Sequence, residues 1–216
     1  MTASTVLSLP ERVDPRSTAL IVVDVQNDFC HSESPLVAAG NDVSAAQEMV
    51  PTLVGLVDDA RRAGTTVIWV KMIHTEHTVS RAATDHRMRT RPGSVQICQE
   101  GSWGAGLYQV EPAAGEPVVT KHRYSAFVDT DLELILRSRG ITSVVLTGVA
   151  TNVCVESTAR DAYMRDYHVV FVDDCSAAYS AEKHAATLRN MNDHFGVVVN
   201  AADLAEAWAA VPALAR

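Results

Sequence analysis

The run ALIVVDV, residues 19–25, has the composition of a strand buried on both faces, because it is apolar at successive positions up to Asp24. Five similar runs follow along the chain: TVIWV at 66–70, PVVT at 117–120, SVVLTGV at 143–149, HVVFV at 168–172 and GVVV at 196–199. Strands of this kind are typical of parallel sheets that are covered by helices on both faces. The runs therefore predict one mostly parallel sheet of about six strands.

The segments between these runs have helical patterns. Residues 44–63 are predicted to form a helix that opens with a capping box from Ser44 to Gln47 and ends at Gly64. Further helices are predicted at residues 131–139, 152–166, 181–194 and 202–210. Because both faces of a parallel sheet need an apolar cover, this alternation predicts an α/β fold, a three-layer αβα sandwich with a Rossmann-like sheet.

Length and composition are those of one globular domain. With 216 residues, 47% hydrophobic and 20% charged, the chain can build a single core, and a single domain over residues 1–216 is expected. The formal net charge of −8 argues against a broad surface for nucleic acid. No run reaches the roughly 20 apolar residues of a membrane span, and the start of the sequence lacks a signal-peptide pattern. We expect a cytoplasmic protein without membrane contact.

Three chemically active side chains follow predicted strands, at Asp24, Lys121 and Cys154. Each has an ordinary explanation: a turn-capping acid, a solvated lysine and a small buried cysteine. In an open parallel sheet, however, ligands bind at the carboxyl ends of the strands, where these three side chains would meet if the strand order allows it. A thiol in the first turn of a helix and near a lysine is favoured as a thiolate, and a neighbouring carboxylate can serve as its base.

The four cysteines lie far apart and form no C-x-x-C pair, which argues against a zinc ribbon or a dithiol motif. Cys30, Cys98 and Cys175 lack a neighbouring motif and are expected to be structural.

Three longer segments carry a family resemblance: ALIVVDVQNDF, KHRYSAFVDTDLELILRSRGI and LTGVATNVCVESTARDAY. Together they resemble the isochorismatase-like cysteine hydrolases, which include nicotinamidases, N-carbamoylsarcosine amidase, biuret and triuret hydrolases and ureidoacrylate amidohydrolase. The similarity extends over almost the whole chain. The motifs RYSAF, ILRSRGI and GVATNVCVEST are most similar to the ureidoacrylate branch, which favours ureido and carbamoyl amides as substrates.

This resemblance implies a catalytic triad of Asp24, Lys121 and Cys154. It also implies a cis peptide between Val149 and Ala150, and an oxyanion hole made by the backbone N–H groups of Ala150 and Cys154. The implied reaction is hydrolysis of a small amide through a thioester, with release of ammonia and without a cofactor.

Two other reactions within the same family stay open, a nicotinamidase-like amide hydrolysis and an isochorismatase-type vinyl ether hydrolysis. The presence of Cys154 favours an amidase. Nicotinamidases carry a D-x-H metal motif where this chain reads VKMIHTEHTV, at residues 70–79. His74 and His77 could still face one ion, but the missing aspartate leads us to expect no metal.

The irregular segment from 72 to 116 is expected to form part of the substrate pocket, because connections of this length are usually functional or mobile. Predicted substrate contacts are His74, Glu76, Trp103 and Tyr124. The expected partners are a small amide substrate and further copies of the chain, in a homodimer or homotetramer. The apolar segment LAEAWAAVPALA, residues 204–215, gives this oligomer modest support.

Overall fold

All six predicted runs are strands of one sheet in the computed structural model, which describes residues 6–210. The strands are β1 Thr18–Val23, β2 Thr66–Met72, β3 Val118–Lys121, β4 Ser143–Val149, β5 His168–Ala177 and β6 Gly196–Val199. Their order is β3-β2-β1-β4-β5-β6, and every neighbouring pair is parallel. The predicted α/β fold with a mostly parallel sheet is thereby confirmed.

The helices cover both faces of this sheet. They are α1 Leu9–Arg12, α2 Asn27–Cys30, α3 Pro35–Ala38, α4 Ser44–Ala63, α5 Arg81–Thr90, α6 Leu132–Ser138, α7 Glu156–Tyr163, α8 Ala181–His194 and α9 Ala201–Ala209. Helices α4 and α9 pack together against the sheet, and α7 and α8 form a second packed pair against β5 and β6. This is the predicted three-layer sandwich.

Burial is greatest in the two central strands. Every residue of β1 and β4 is buried, because each strand has neighbours on both sides and helices on both faces. Burying side chains such as Leu20 and Ile21 stabilises the fold by about 1.5–3 kcal/mol each. The edge strand β3 alternates between exposed and buried residues instead. The carboxyl ends of β1 and β4 therefore belong to the most deeply buried strands of the sheet.

The predicted capping box at the start of α4 is wrong. The helix begins at Ser44 itself, and its N-cap residue Val43 has no capping side chain. The Ser44 N–H is satisfied by Asp42 Oδ1, which accepts it at 2.9 Å. At the other end, Gly64 adopts φ of 80° and caps the helix as predicted, since this left-handed conformation suits glycine.

Several elements lie beyond the sequence-based prediction, namely the four-residue helices α1, α2 and α3, helix α5 and the end of β5. The segment from 72 to 116 contains α5, which the sequence pattern missed because the helix buries none of its residues and so has no apolar periodicity. Ser80 caps it by accepting the Ala83 N–H at 3.0 Å. Strand β5 continues to Ala177, through polar residues that the apolar pattern excluded.

The connection after β1 leads to β2, toward one edge of the sheet, and the connection after β4 leads to β5, toward the other edge. The neighbouring strands β1 and β4 therefore form the topological switch point of the sheet. A crevice opens at the carboxyl ends of the strands at such a point. Between residues 6 and 210, no helix is both long and apolar enough to cross a membrane.

Candidate active site

The three predicted catalytic side chains meet at the switch point. Asp24 follows β1, Lys121 ends β3, and Cys154 lies in a π-helical turn, Thr151–Val155, between β4 and α7. Lys121 Nζ lies 2.7 Å from Asp24 Oδ2, and both side chains are fully buried. The Cys154 thiol lies against both groups and is itself buried. The fold thus brings together three groups that are far apart in sequence.

Local backbone geometry directs Asp24 into the site. Its φ of 55° is left-handed, and its N–H donates to the Val70 carbonyl at 2.9 Å, which turns the chain away from the sheet. Gln26 then holds this turn in place. Its Nε2 donates to the Met72 carbonyl at 3.0 Å and to the Ala105 carbonyl at 2.9 Å. Gln26 was not singled out from the sequence, although it stands in the polar QNDF that follows the first run.

Lys121 reaches the same point from the edge strand. It is paired in register with Met72, the last residue of β2. Its Nζ donates to the Arg123 carbonyl at 3.1 Å and forms an ion pair with Asp24. The Asp24 carboxylate also lies against the Cys154 thiol and the Met72 backbone N–H. The acid is therefore held by the Lys121 charge beside the thiol whose proton it can accept.

Burial dominates the proton affinities of the three groups. It raises the pKa of the Asp24 carboxyl above its ordinary value, although the Lys121 charge opposes this. Burial also raises the pKa of the Cys154 thiol, Asp24 adds to the rise, and Lys121 opposes it. For Lys121, burial lowers the pKa, but Asp24 and Cys154 outweigh it and hold the pKa above its ordinary value.

These directions correct the expectation of a thiolate at rest. Lys121 favours the thiolate as expected, but the loss of water around Cys154 and the neighbouring Asp24 charge are stronger. The resting cysteine is a neutral thiol beside an ion pair, so it needs a base at the moment of attack.

The turn that carries Cys154 begins directly after β4. The peptide bond between Val149 and Ala150 is cis, the geometry that the family resemblance implied. The Val153 and Val155 N–H groups donate to the Ala150 carbonyl at 3.0 and 3.3 Å. Before the turn, Gly148 has φ of 111°, and a Cβ there would overlap the backbone of Val23. Only glycine allows β4 to approach β1 this closely.

A cavity of about 530 Å³ opens above Cys154 and Ala150. Its walls combine apolar side chains with positively charged or titratable ones, among them His74, His86, Arg91, His122 and Arg123. None of the described residues that line it is Asp or Glu. Burial lowers the pKa of His74, and the positive charges of Lys121, His122 and Arg123 add to this effect. The cavity is therefore electropositive, although the whole chain is acidic.

The four predicted substrate contacts divide into two pairs. His74 and Tyr124 line the cavity. Glu76 and Trp103 do not line it, so their contact with a substrate stays a prediction. The Glu76 side chain is 87% exposed beside His77, and Trp103 is 54% exposed, with its ring edge-on to His31 at 4.9 Å. Both side chains project from the loop into solvent.

The cavity walls include residues that sequence reasoning missed. His86 and Arg91 come from α5 and the residue after it, a segment read as irregular. Tyr179 follows β5, and its hydroxyl donates to the Phe29 carbonyl at 3.1 Å. Burial raises the pKa of Tyr179 well above its ordinary value, so the hydroxyl keeps its proton. The sequence pattern gave no signal for Tyr179, because its position depends on how far β5 extends.

His74 and His77 do not share the cavity, since only His74 lines it. Within residues 6–210, no group of three or more His, Cys, Asp or Glu side chains is arranged to hold a metal ion.

A buried cysteine, acid and lysine at the switch point of a parallel sheet define a site of the cysteine hydrolase type. The profile of the isochorismatase domain matches residues 18–203, and the chain belongs to that family. The ureidoacrylate amidohydrolase RutB of Methylobacterium radiotolerans is 37% identical over 206 residues, which cover 89% of this chain and 80% of the relative. RutB of an Enterobacter species is 36% identical and covers 99% of both chains.

A solved cysteine hydrolase from Pseudomonas syringae pv. phaseolicola has a similar structure, with a TM-score of 0.81 and 26% identity. The match covers 92% of this chain and 95% of that protein. The resemblance read from the three sequence motifs is thereby confirmed at the level of the family.

Proposed function

We propose that the protein is an amidohydrolase that cleaves a C–N bond in a small ureido or carbamoyl acid through a thioester on Cys154. The observation that carries this proposal is the buried contact of Asp24, Lys121 and Cys154 beneath an electropositive cavity. The names of the RutB relatives support the substrate class.

In the first half of the reaction, Asp24 takes the thiol proton while Cys154 Sγ attacks the amide carbonyl. The Lys121 ammonium balances the negative charge that moves from carboxylate to sulfur and oxygen. The N–H groups of Ala150 and Cys154 hold the oxyanion, and one such donor typically contributes about 100- to 1,000-fold to turnover. The C–N bond then breaks, and ammonia leaves with the proton that Asp24 had accepted.

In the second half, Asp24 deprotonates a water molecule that attacks the thioester carbonyl. The C–S bond breaks, the acid product leaves, and the thiol regains its proton from Asp24. One water is consumed and one ammonia is released, so no oxidant or reductant is needed.

The positive charge of the cavity favours a substrate with a negatively charged group at the end away from the reacting amide. Arg91 and Arg123 line the cavity, and none of its described lining residues is acidic. A guanidinium pairs well with a carboxylate, often through two hydrogen bonds. A ureido acid can thus place its amide over Cys154 and its carboxylate among these cations.

Neither alternative reaction gains support from the geometry of the site. Nicotinamide-type chemistry with a metal between His74 and His77 is not favoured, because His77 lies outside the cavity. Vinyl ether hydrolysis without a covalent step gives the buried Cys154 no role.

Ammonia release from a panel of amides tests the function directly. The panel contains a ureido acid, biuret, triuret and nicotinamide, and each is tested with the wild-type protein and with Cys154→Ala. We expect the highest kcat/KM with the ureido acid and no turnover in the variant. A preference for nicotinamide would overturn the substrate class.

We also propose a homodimer or homotetramer located in the cytoplasm. The described part of the segment at 204–215 does not carry this proposal, because Leu204 and Trp208 pack into their own core and residues 211–216 lie outside the described residues. Exposed apolar side chains near the edge strand β3, namely Val118, Val128 and Leu134, support it instead. Light scattering that gave only the 23.3 kDa monomer would contradict the oligomer.

A further inference from the structure

A chain of hydrogen bonds leads from the protein surface to the turn that carries Cys154. His184 Nε2 lies 2.8 Å from Asp173 Oδ1, and His184 Nδ1 lies 2.9 Å from Thr151 Oγ1. The three residues come from three elements: Asp173 from β5, His184 from α8, and Thr151 from the turn itself. Thr151 is fully buried, and it directly follows Ala150.

The hydrogen-bonding capacity of Asp173 and Thr151 determines which nitrogen of His184 carries the proton. A carboxylate only accepts hydrogen bonds, so a neutral His184 carries its proton on Nε2 and donates it to Asp173. Its Nδ1 is then an acceptor, and the Thr151 hydroxyl donates to it. Asp173 thereby fixes the orientation of the imidazole, and the imidazole fixes the orientation of Thr151.

His184 does not act on the substrate directly. It is absent from the lining of the cavity, whereas Asp24 and Lys121 both lie against the thiol. A Cys-His-Asp arrangement of the kind found in other cysteine enzymes is therefore excluded here, and any effect of His184 on the reaction passes through Thr151.

Helix α8 also contacts α7, beyond the turn. Thr187 lies one turn after His184 on the same helix, and its hydroxyl donates to Glu156 Oε2 at 2.7 Å. Glu156 is the first residue of α7, directly after the turn. Of these two side-chain bonds from α8, the bond at His184 reaches the turn itself, through Thr151, whereas the bond at Thr187 does not.

We propose that His184 and Asp173 are positioning residues that hold the turn from 150 to 155 in the conformation that presents the Ala150 and Cys154 N–H groups to the oxyanion. The proposal rests on the proposed function for its kinetic consequence, but the rigidity of the turn can be measured without any substrate.

The first test removes the hydrogen bond while keeping the shape of the side chain. Thr151→Val deletes only the hydroxyl, and Thr151→Ser retains it. We expect Thr151→Val to lower kcat about 10- to 100-fold with KM within about twofold, because the oxyanion forms only in the transition state. Thr151→Ser should restore most of the loss, and His184→Ala should resemble Thr151→Val without adding to it in the double variant.

Thr187→Val is the matched control, because it removes a comparable bond from the same helix to a residue outside the turn. Its kcat should stay within about twofold of wild type, even if its melting temperature falls. If Thr151→Val does not fold, Asp173→Ala takes its place. Asp173 is the partly exposed end of this series of hydrogen bonds, so its substitution disturbs the core less.

The second test is hydrogen exchange at the peptide that covers residues 150–155, measured without substrate. Thr151→Val and His184→Ala should both speed exchange there. Unchanged exchange in folded variants would overturn the proposal, whatever the substrate is. Wild-type kcat in folded Thr151→Val, or an equal loss of kcat in Thr187→Val, would overturn it as well. A failure of the amidase assignment would instead appear as absent turnover in the wild-type protein, with the exchange result intact.

Discussion

Cys154 lies beside a carboxylate and an ammonium group that are both withdrawn from water, so each charge strongly affects the others. The pKa of Asp24 is raised by burial and restrained by Lys121. The base form of Asp24 is needed for the attack, and it is lost as pH falls through this raised pKa. The acidic limb of the kcat/KM profile should therefore lie above the ordinary Asp pKa of 3.8.

Removing the Lys121 charge should move the acidic limb of the kcat/KM profile to higher pH. In Lys121→Met the charge that most opposes the effect of burial on Asp24 is gone, so the Asp24 pKa rises further and activity is lost at a higher pH than in the wild-type protein. The rate of Cys154 alkylation against pH should shift the same way, since the thiolate also loses its cation. Profiles of kcat/KM and alkylation that coincide with those of wild type would show that Lys121 does not tune either group.

Arg91 is expected to select for an anionic substrate. Arg91→Ala should raise KM for a ureido acid about tenfold, because it removes one charged partner of the carboxylate. KM for biuret, which carries no carboxylate, should stay within about twofold and serves as the control. Equal effects on both substrates would show that Arg91 shapes the cavity but does not recognise the substrate's carboxylate.

At the scale of elements, the site depends on how closely β4 approaches β1. Gly148→Ala should destabilise the protein by at least about 2 kcal/mol, because the new Cβ would overlap the Val23 backbone and the positive φ disfavours alanine. Gly55→Ala is the matched control, since a Cβ at this position in α4 meets nothing within 4 Å and should stabilise by about 0.5–1 kcal/mol. Urea unfolding of both variants measures the difference. Equal stabilities would refute the close packing of these strands.

Elements with a strong apolar pattern could be predicted from the sequence, and the others could not. Strands β4 and β6 and helices α4 and α8 have the predicted bounds, because the strands are continuous apolar runs and the helices have an apolar face. Helix α5 was missed since it buries none of its residues and so lacks an apolar face. The turn at 151–155 was read as the start of a longer helix, because five residues are too few for an apolar period to distinguish a π-helical turn from an α-helix.

At the scale of the whole molecule, the sequence predicts which reactive residues stand at strand ends. It does not predict that these residues converge at one site. Asp24, Lys121 and Cys154 could be placed at strand ends from local pattern alone. Their convergence depends on the order β3-β2-β1-β4-β5-β6, which no local pattern specifies. The same holds for the hydrogen bonds from Asp173 to Thr151, which join the middle of β5 to the turn after β4 through helix α8. Glu76 and Trp103 lie in the segment expected to form the pocket, but the folded chain leaves both outside the cavity lining.

The proposed reaction passes through a covalent bond between Cys154 and the substrate's acyl group. Rapid-quench mass spectrometry of the intact protein during turnover of a ureido acid tests this bond directly. It should reveal wild-type protein heavier by the mass of the substrate less ammonia, with the added mass on the peptide that contains Cys154. Folded Cys154→Ala protein should show neither the adduct nor ammonia. Ammonia release from that variant at a rate near wild type would contradict the account.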